Sequence, residues 1–565
     1  MIYSIKNLHK TLGNKVLFEG LDMKIEEGEK VALIGRNGLG KTTLFRIISG
    51  EDKDFQGEAS IKKNTKLILT QQEHFFTGKD KSFSALDYIL DDIPDYRKLA
   101  AELKTFEENL SDNLDEIQTY TDAVTTFSEM GYYQVEERIL STLEDFGLNF
   151  DRTLGPMQDL SGGQKRFVEL ARVMYSAADI ALIDEPTNHM DYLGKEKFIE
   201  WVNETNLTLF IITHDRDVLK TVDRVIELKD KKISEYPGNY DAYLKQNSLK
   251  TTGGIYEYEI ALKRLEKLKK QINEARVVKM KARDRSARIR EENFQREYDE
   301  LKDNLVKPSF WIDQDSKDQL SDTVIEKYDK YKQKNIRVVN NDRNKEHKKI
   351  LLEVKNLSVG YDHPLFKSVN FRLEHGDKVF IKGRNGAGKS TLVKTIIRAI
   401  DQAMLDKITY GQSEVKEDKS GPKIFIGEIK PNDSVRLGFY EQEIKSEYLK
   451  NTLEEAAMNI FHNQGIEMNQ QQIKNILGQY LFDPMNDANV LVSNLSGGQK
   501  ARLQIIKMMS NNPNILILDE PTNHLDLPSI EELENSFLDY HGAIIYITHD
   551  NYLVNKLGGE VVRLD

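Results

Sequence analysis

GRNGLGKT at Gly35–Thr42 decides the reading of this chain, because GRNGAGKS at Gly383–Ser390 repeats it 348 positions later. Each copy follows an apolar run (KVALI, KVFIK) and precedes a helix-like stretch (TTLFRIISG, STLVKTIIRAI). Three more motifs then recur in the same order. LSGGQ stands at Leu160–Gln164 and Leu495–Gln499, an apolar run ending in Asp-Glu at Asp184–Glu185 and Asp519–Glu520, and ITHD at Ile212–Asp215 and Ile547–Asp550. Ser161 to Glu185 and Ser496 to Glu520 both span 24 positions, and Glu185 to His214 and Glu520 to His549 both span 29. Strand, Gly-rich loop and helix in alternation predict an α/β fold with largely parallel sheets, built twice. Continuous apolar runs such as IALID, ILILD and LTLFII fit strands covered on both faces.

The chemistry follows from the residue types. In Gly35–Asn37–Gly38–Gly40 and Gly383–Asn385–Gly386–Gly388 the glycines let backbone N–H groups face phosphate oxygens, and the next helix adds its positive end. Lys41 and Lys389 would reach the β- and γ-phosphates, with Thr43 and Thr391 closing each loop. Thr42 and Ser390 would offer a hydroxyl to Mg²⁺, and Asp184 and Asp519 a carboxylate. Glu185 and Glu520 are placed to activate water, and His214 and His549 to contact the γ-phosphate. Gln72 and Gln442 are candidates for sensing metal and nucleophile, Gln71 competing with Gln72. A lone Gly-rich loop is also compatible with a tight strand-to-helix turn that binds nothing; three further motifs in order argue against that here.

The LSGGQ pentapeptide is the signature of the ATP-binding cassette superfamily, and both halves of the chain resemble it. The resemblance implies two ATP sites, each shared: Gly35–Thr42 would face Ser496, Gly497, Gly498 and Gln499, while Gly383–Ser390 would face Ser161, Gly162, Gly163 and Gln164. It also implies an adenine-stacking aromatic at Tyr361, whose counterpart in the first half is Leu12. Two cassettes on one chain, EPTNH after each Asp, YPGNYDAYL near residue 240 and NHLDLPSIEELE in the second half resemble subfamily F, the ABC-F proteins. That resemblance implies an ATPase that closes around two ATP and binds the ribosomal tRNA exit site. Its interdomain hairpin would act on peptidyl-tRNA and the peptidyl-transferase centre. Regulation of translation and protection of ribosomes from antibiotics both remain open.

The expected domains are two ABC-type nucleotide-binding domains, 1–245 and 349–565, joined by a long α-helical hairpin connector at 246–348. Leu262, Leu265, Leu268 and Ile272 recur at helical spacing, as do Leu320, Val324, Ile325, Tyr328 and Tyr331. With Pro308 between them, the two runs predict a hairpin with KPSFWIDQD at or near its tip. The first half carries an insertion, RKLAAELKTFEENL and DEIQTYTDAVTTFSEM, that reads as a helical hairpin; the second carries a polar excursion around DKITYGQSEVKEDKSGPK.

The net charge of −12 conceals a local reversal. Ala261–Arg290 holds 12 Lys and Arg against 3 acidic residues, a local charge of +9, which calls for an anionic partner. Composition alone fits a solvated helix face as well; the family resemblance favours ribosomal RNA and tRNA. Lys279, Lys281, Arg283, Arg285, Arg288, Arg290 and Lys307 are the candidate phosphate contacts, and Phe310 and Trp311 candidate stacking surfaces. The chain contains no cysteine, and its mean hydropathy is −0.56. With no run of ~20 apolar residues and no signal-like amino terminus, a cytoplasmic monomer without membrane contact is expected. The competing readings are the motor subunit of a membrane transporter and a DNA-associated ATPase.

Overall fold

The computed structural model describes residues 1–13, 15–70, 83–109, 114–188, 190–282, 285–305, 307, 311–331, 349–408, 421–441, 444–480, 482–495, 497–523 and 525–564. In the first half the apolar runs form one sheet. Its strands lie in the order Leu67–Leu69, Ile180–Asp184, Thr208–Ile212, Lys30–Gly35, Arg224–Lys229, Lys232–Pro237. All neighbours are parallel except the last pair. The second half repeats the order with Leu437–Tyr440, Ile515–Asp519, Ala543–Ile547, Lys378–Lys382 and Glu560–Arg563. The phosphate-loop strand is therefore central, and the loops at its carboxyl end meet those of its neighbours, where parallel sheets bind ligands.

Register fixes the site. Asp184 pairs with Ile212 and Asp519 with Ile547, so the Glu after each Asp emerges beside the His two residues beyond each Ile. The 29-residue spacing common to both halves is the outcome of that pairing. An antiparallel three-stranded sheet accompanies each core: Lys15–Ile25, Tyr3–Leu12, Gln56–Ile61 in one half and Val369–Glu374, Ile350–Gly360, Lys423–Pro431 in the other. Its inward residues, Ile5, Leu8 and Phe18 in the first half, pack with Leu44 and Phe45 of the phosphate-loop helix.

The first-half insertion is a helical hairpin, Tyr96–Asn109 against Leu114–Glu129, held by rings such as Phe106 and Tyr120 with centroids 6.0 Å apart. Part of the extra length of the second half lengthens the phosphate-loop helix, Lys389–Ile408 against Lys41–Ile48; residues 409–420 lie outside the described residues.

The connector is an arm, but its tip is not where periodicity suggested. One helix runs unbroken over Tyr240–Ala282, 43 residues, or about 64 Å at 1.5 Å per residue. It begins inside YPGNYDAYL, ahead of the expected boundary at 246. Its antiparallel partner is Arg285–Asn304, and the pairs Arg264–Glu297 (Nε–Oε1 2.9 Å) and Arg276–Glu291 (3.1 Å) record that register. The first helix ends at Ala282 and its partner begins at Arg285, both within the basic run. Within KPSFWIDQD, positions 308–310 lie outside the described residues, and the part from Trp311 onward is instead at the root: Ile312 packs with Ile255, Tyr328 and Tyr331. The run with Tyr328 and Tyr331, helix Asp322–Tyr331, braces the base of the long helix. Its misreading has a physical cause. The true partner carries so few apolar residues that a buttress with a denser stripe mimics it.

Leu268 is fully buried in the two-helix arm. Leu268→Ala is expected to cost the arm about 2–4 kcal/mol, to speed amide exchange over 262–304, and to leave exchange in both sheets unchanged.

Candidate active sites

Each phosphate loop is bent by glycines in the left-handed region: Gly38 and Gly40 at φ +77° and +99°, Gly386 and Gly388 at +83° and +92°. A Cβ on Gly40 would lie 3.1 Å from the Phe18 ring, and one on Gly388 3.0 Å from Phe366, so space as well as φ demands glycine. Lys41 Nζ lies 2.6 Å from Gly35 O and 3.1 Å from His214 Nε2. Lys389 Nζ lies 2.7 Å from Gly383 O and 3.5 Å from His549 Nε2. The Thr42 hydroxyl donates to Asp184 Oδ2 at 2.9 Å and the Ser390 hydroxyl to Asp519 Oδ2 at 3.2 Å. A hydroxyl beside a carboxylate is a pair of hard oxygen donors, the set Mg²⁺ takes when phosphate oxygens and water complete its shell. Among the described residues no cluster of three or more His, Cys, Asp or Glu could hold a metal on its own.

Glu185 and Glu520 have φ of +47° and +49°, which non-glycine residues rarely adopt. Their amides donate to Ile212 O (2.8 Å) and Ile547 O (3.0 Å) of the neighbouring strand. The carboxylates turn toward the histidines: Glu185 Oε1 is 3.7 Å from His214 Nε2, and Glu520 Oε1 3.3 Å from His549 Nε2. Burial raises the carboxyl of Glu185 to about 8, against the pull of Lys41, and that of Glu520 to about 7, where Asp519 adds to the rise. Burial likewise lowers His214 well below its ordinary value and His549 to about 3, so both imidazoles are neutral. His214 Nδ1 and Glu520 Oε1 are buried without a hydrogen-bond partner, polar atoms in the space between loop and strand ends.

The halves meet at these loops. Asp526 Oδ2 accepts from the amide of Asn37 in the first phosphate loop (3.4 Å), and Asp191 Oδ2 from the amide of Asn385 in the second (3.1 Å). The second oxygen of each aspartate caps its own helix, at Ser529 N and Gly194 N. Gly497 of the second signature lines a cavity of about 240 Å³ together with Asn37, Glu185, His214, Glu520 and His549. Ser161 caps helix Gly162–Tyr175 in a reciprocal box with Gln164, which aims that helix's free amides outward.

Sequence reasoning missed the inter-half contacts. Neither Asp191 nor Asp526 was singled out, although each ends the same Asn-His-Met/Leu-Asp run. Arg216 was also missed; it donates to Glu534 at 2.6 Å and 3.3 Å in a buried pair across the halves. Tyr361 and Leu12 are both exposed at the ends of matching strands. Gln72, Gln442, Ser496, Arg283 and Phe310 lie outside the described residues. Arg288, Arg290 and Lys307 are exposed, and the backbone of Lys279, Lys281 and Arg285 lies at the arm's tip. Trp311 is a correction. Its indole N–H donates to Glu531 Oε2 at 3.0 Å at the arm's root, so it is not a tip residue offered to RNA.

Residues 18–188 and 366–523 match the sequence family described as ABC transporter. The chain is 29% identical over 562 residues to the probable ATP-binding protein YbiT of Escherichia coli O157:H7, covering 99% of this chain and 95% of that protein. It is 26% identical over 577 residues to the ribosome protection protein VmlR of Bacillus subtilis (strain 168), covering 98% and 85%. Among solved structures the fold resembles RNase-L Inhibitor, with a TM-score of 0.55 and 15% identity over 99% of this chain and 87% of that one. Among the described residues no helix is long and apolar enough to cross a membrane.

The raised Glu185 carboxyl gives a signed prediction for the protein in EDTA without nucleotide. Below the ordinary glutamate range the group is neutral folded and unfolded. As pH climbs toward 8 only the unfolded chain ionises, and stability falls. Glu185→Gln removes that ionisation, so it should stabilise the protein at pH 8.5 and change little at pH 4, as read by chemical denaturation.

Proposed function

The chain belongs to the ATP-binding cassette family, in the tandem ABC-F arrangement, and hydrolyses ATP; we propose that it does so on the ribosome, as a cytoplasmic monomer whose arm is the effector. The observation that carries this reading is the placement of charge. The +9 stretch Ala261–Arg290 occupies the distal half of a 43-residue helix and the start of its antiparallel partner, on a chain of net −12. The acidic balance elsewhere disfavours indiscriminate binding to polyanions, whereas a basic tip on a long lever suits a recess walled by RNA phosphates. The similarity to a ribosome protection protein supports the same partner.

In this reading ATP is held by the loop amides at Gly35–Thr42 and Gly383–Ser390, with Lys41 and Lys389 turning from loop carbonyls to phosphate. Mg²⁺, held by Thr42 and Asp184 or by Ser390 and Asp519, would neutralise charge on the β- and γ-oxygens. Glu185 and Glu520 accept a proton from the attacking water, and neutral His214 and His549 hold the γ-phosphate. The signature helices, at Ser161–Gln164 and Ser496–Gln499, complete each anion cage from the opposite half. ATP thus favours the closed form, and hydrolysis removes the bond that keeps it closed. The closed form enters the tRNA exit site, and the tip approaches peptidyl-tRNA near the peptidyl-transferase centre. There it tunes peptide-bond formation or dislodges an antibiotic. Lys279, Lys281, Arg283 and Arg285 would contact RNA at the tip, with Arg288 and Arg290 behind them.

The test is co-sedimentation with ribosomes of the Glu185→Gln, Glu520→Gln double variant, whose ATP turnover should fall by ~10²–10⁴. ATP-dependent co-migration that weakens with salt is expected. Adding Lys281→Glu and Arg285→Glu should weaken it further and lower the salt slope by about one for each phosphate no longer neutralised. Capture by duplex DNA or by washed membranes instead, with ATP still bound, would replace this reading by a DNA-associated ATPase or a transporter motor.

A further inference from the structure

The arm is rooted in both halves, and unequally. On one side its long helix grows from the first half: Tyr236, Tyr240 and Tyr243 share a buried cluster with Val225, and the Tyr236 and Tyr243 rings meet edge to face at 5.0 Å. On the other side the returning chain is bound to the second half through Glu531. Its Oε2 accepts the Trp311 indole N–H at 3.0 Å, and its Oε1 the Gln314 amide at 2.5 Å. Trp311 is also held by the long helix, its carbonyl accepting from Asn247 Nδ2 (3.0 Å) and Thr251 Oγ1 (3.4 Å) and its ring stacking on Tyr243 at 6.4 Å. Glu531 is 7% exposed, and both its oxygens are taken by the arm.

Glu531 stands on helix Leu527–Leu538, whose amino-terminal cap is Asp526. That aspartate reaches the Asn37 amide in the first phosphate loop. Five residues, little more than one helical turn, separate the contact with the first nucleotide site from the contact with the arm. Leu527 lies in the same buried cluster as Tyr243, with Trp311 packed against it. Among the described residues the other nucleotide site shows no such connection. There Asp191 caps helix Tyr192–Glu204 and reaches Asn385, but the residue matching Glu531 is Glu196, which is exposed.

We infer that Trp311 and Glu531 are positioning residues for one ATP site only: they couple the arm to the site built on the first phosphate loop, and leave the site built on the second phosphate loop uncoupled. ATP that draws Asp526 toward the first loop also sets the arm's root, and a force on the arm is returned to that same loop. The two nucleotides then have different duties, one read by the arm and one closing the halves. The inference rests on the ATPase and not on the identity of the ribosomal partner, so it is tested without ribosomes.

The test is equilibrium ATP binding to the full chain, with one site disabled at a time. Lys389→Ala leaves the first site, and Lys41→Ala leaves the second. Trp311→Phe keeps the ring against Tyr243 and loses the N–H; Glu531→Gln keeps the shape and places a donor where Glu531 accepts. Each should weaken ATP binding on the order of ten-fold at the first site and less than about two-fold at the second. Hydrogen exchange supplies a readout that general destabilisation would not mimic. ATP should protect the root segments 240–258 and 311–331 in the Lys389→Ala protein but not in the Lys41→Ala protein, and Glu531→Gln should abolish that protection. Equal loss of affinity at both sites, no loss at the first, or root protection driven by the second site would overturn the inference. A failure of ribosome binding would leave these outcomes unaffected.

Discussion

One carboxylate per half ties this protein together. Asp526 and Asp191 each spend one oxygen on the amino terminus of their own helix and the other on an amide of the opposite phosphate loop. A hydrogen bond from an amide to a charged acceptor contributes about 1.5–3 kcal/mol, but its place matters more than its size. It locks the glycine-rich loop of one half to the helix that follows the Asp-Glu strand in the other. Each glycine-rich loop is therefore bonded to the cap of a helix in the other half. The strand order and register of each sheet serve this arrangement by delivering phosphate loop, acid, base and histidine to the same edge.

The halves repeat in topology but not in charge. After the histidine the first half has Asp215-Arg216 and the second Asp550-Asn551. Arg216 crosses to Glu534, which also accepts from Lys556, and its guanidinium lies 4.9 Å from the centre of the Tyr552 ring. The mirror contact is impossible, since Asn551 carries no charge and the position matching Glu534 is Ile199. Lys195, in turn, binds Asp215 and Asp217 within the first half, where the second half has Ile530. Such buried pairs return little net stability after desolvation, but breaking one partner is costly, so they specify which surfaces meet. The helix Leu527–Leu538 and its cap carry Asp526, Glu531 and Glu534, and together they bind the first phosphate loop, the arm and the first histidine loop.

The sheets and the loops of both candidate sites were legible in the sequence because their information is local. Buried parallel strands are continuous apolar runs, and phosphate loops need glycine where φ is positive and a neighbouring ring leaves no room, as Gly40 does beside Phe18. The arm was legible in existence but not in register. A two-helix lever exposes most of its surface, and its return helix Arg285–Asn304 is too polar to announce its seam. Pro308 therefore read as the turn, whereas the two antiparallel helices end and begin at Ala282 and Arg285. Trp311, an aromatic beside a proline in a charged segment, resembled a stacking probe; only the fold brings Glu531, 220 residues away, to its indole. Asp191 and Asp526 escaped notice for the same reason, because their partners lie in the other half.

Glu185 and Glu520 hold their positions at a cost. A left-handed φ on a non-glycine residue carries a penalty of roughly 1–3 kcal/mol, and burial disfavours the charge that a general base requires. Both costs recur at the same position in two halves that differ in loops, insertions and charge pairs. The backbone bond from each glutamate to Ile212 or Ile547 is what sustains the conformation, since it anchors the residue to the strand that delivers the histidine. A carboxyl held neutral beside a neutral imidazole is a poor base. In the proposed hydrolysis, a cation held by Thr42 and Asp184 would lower its proton affinity. The strained turn thus keeps each carboxyl beside its histidine, in a cavity lined by residues of both halves.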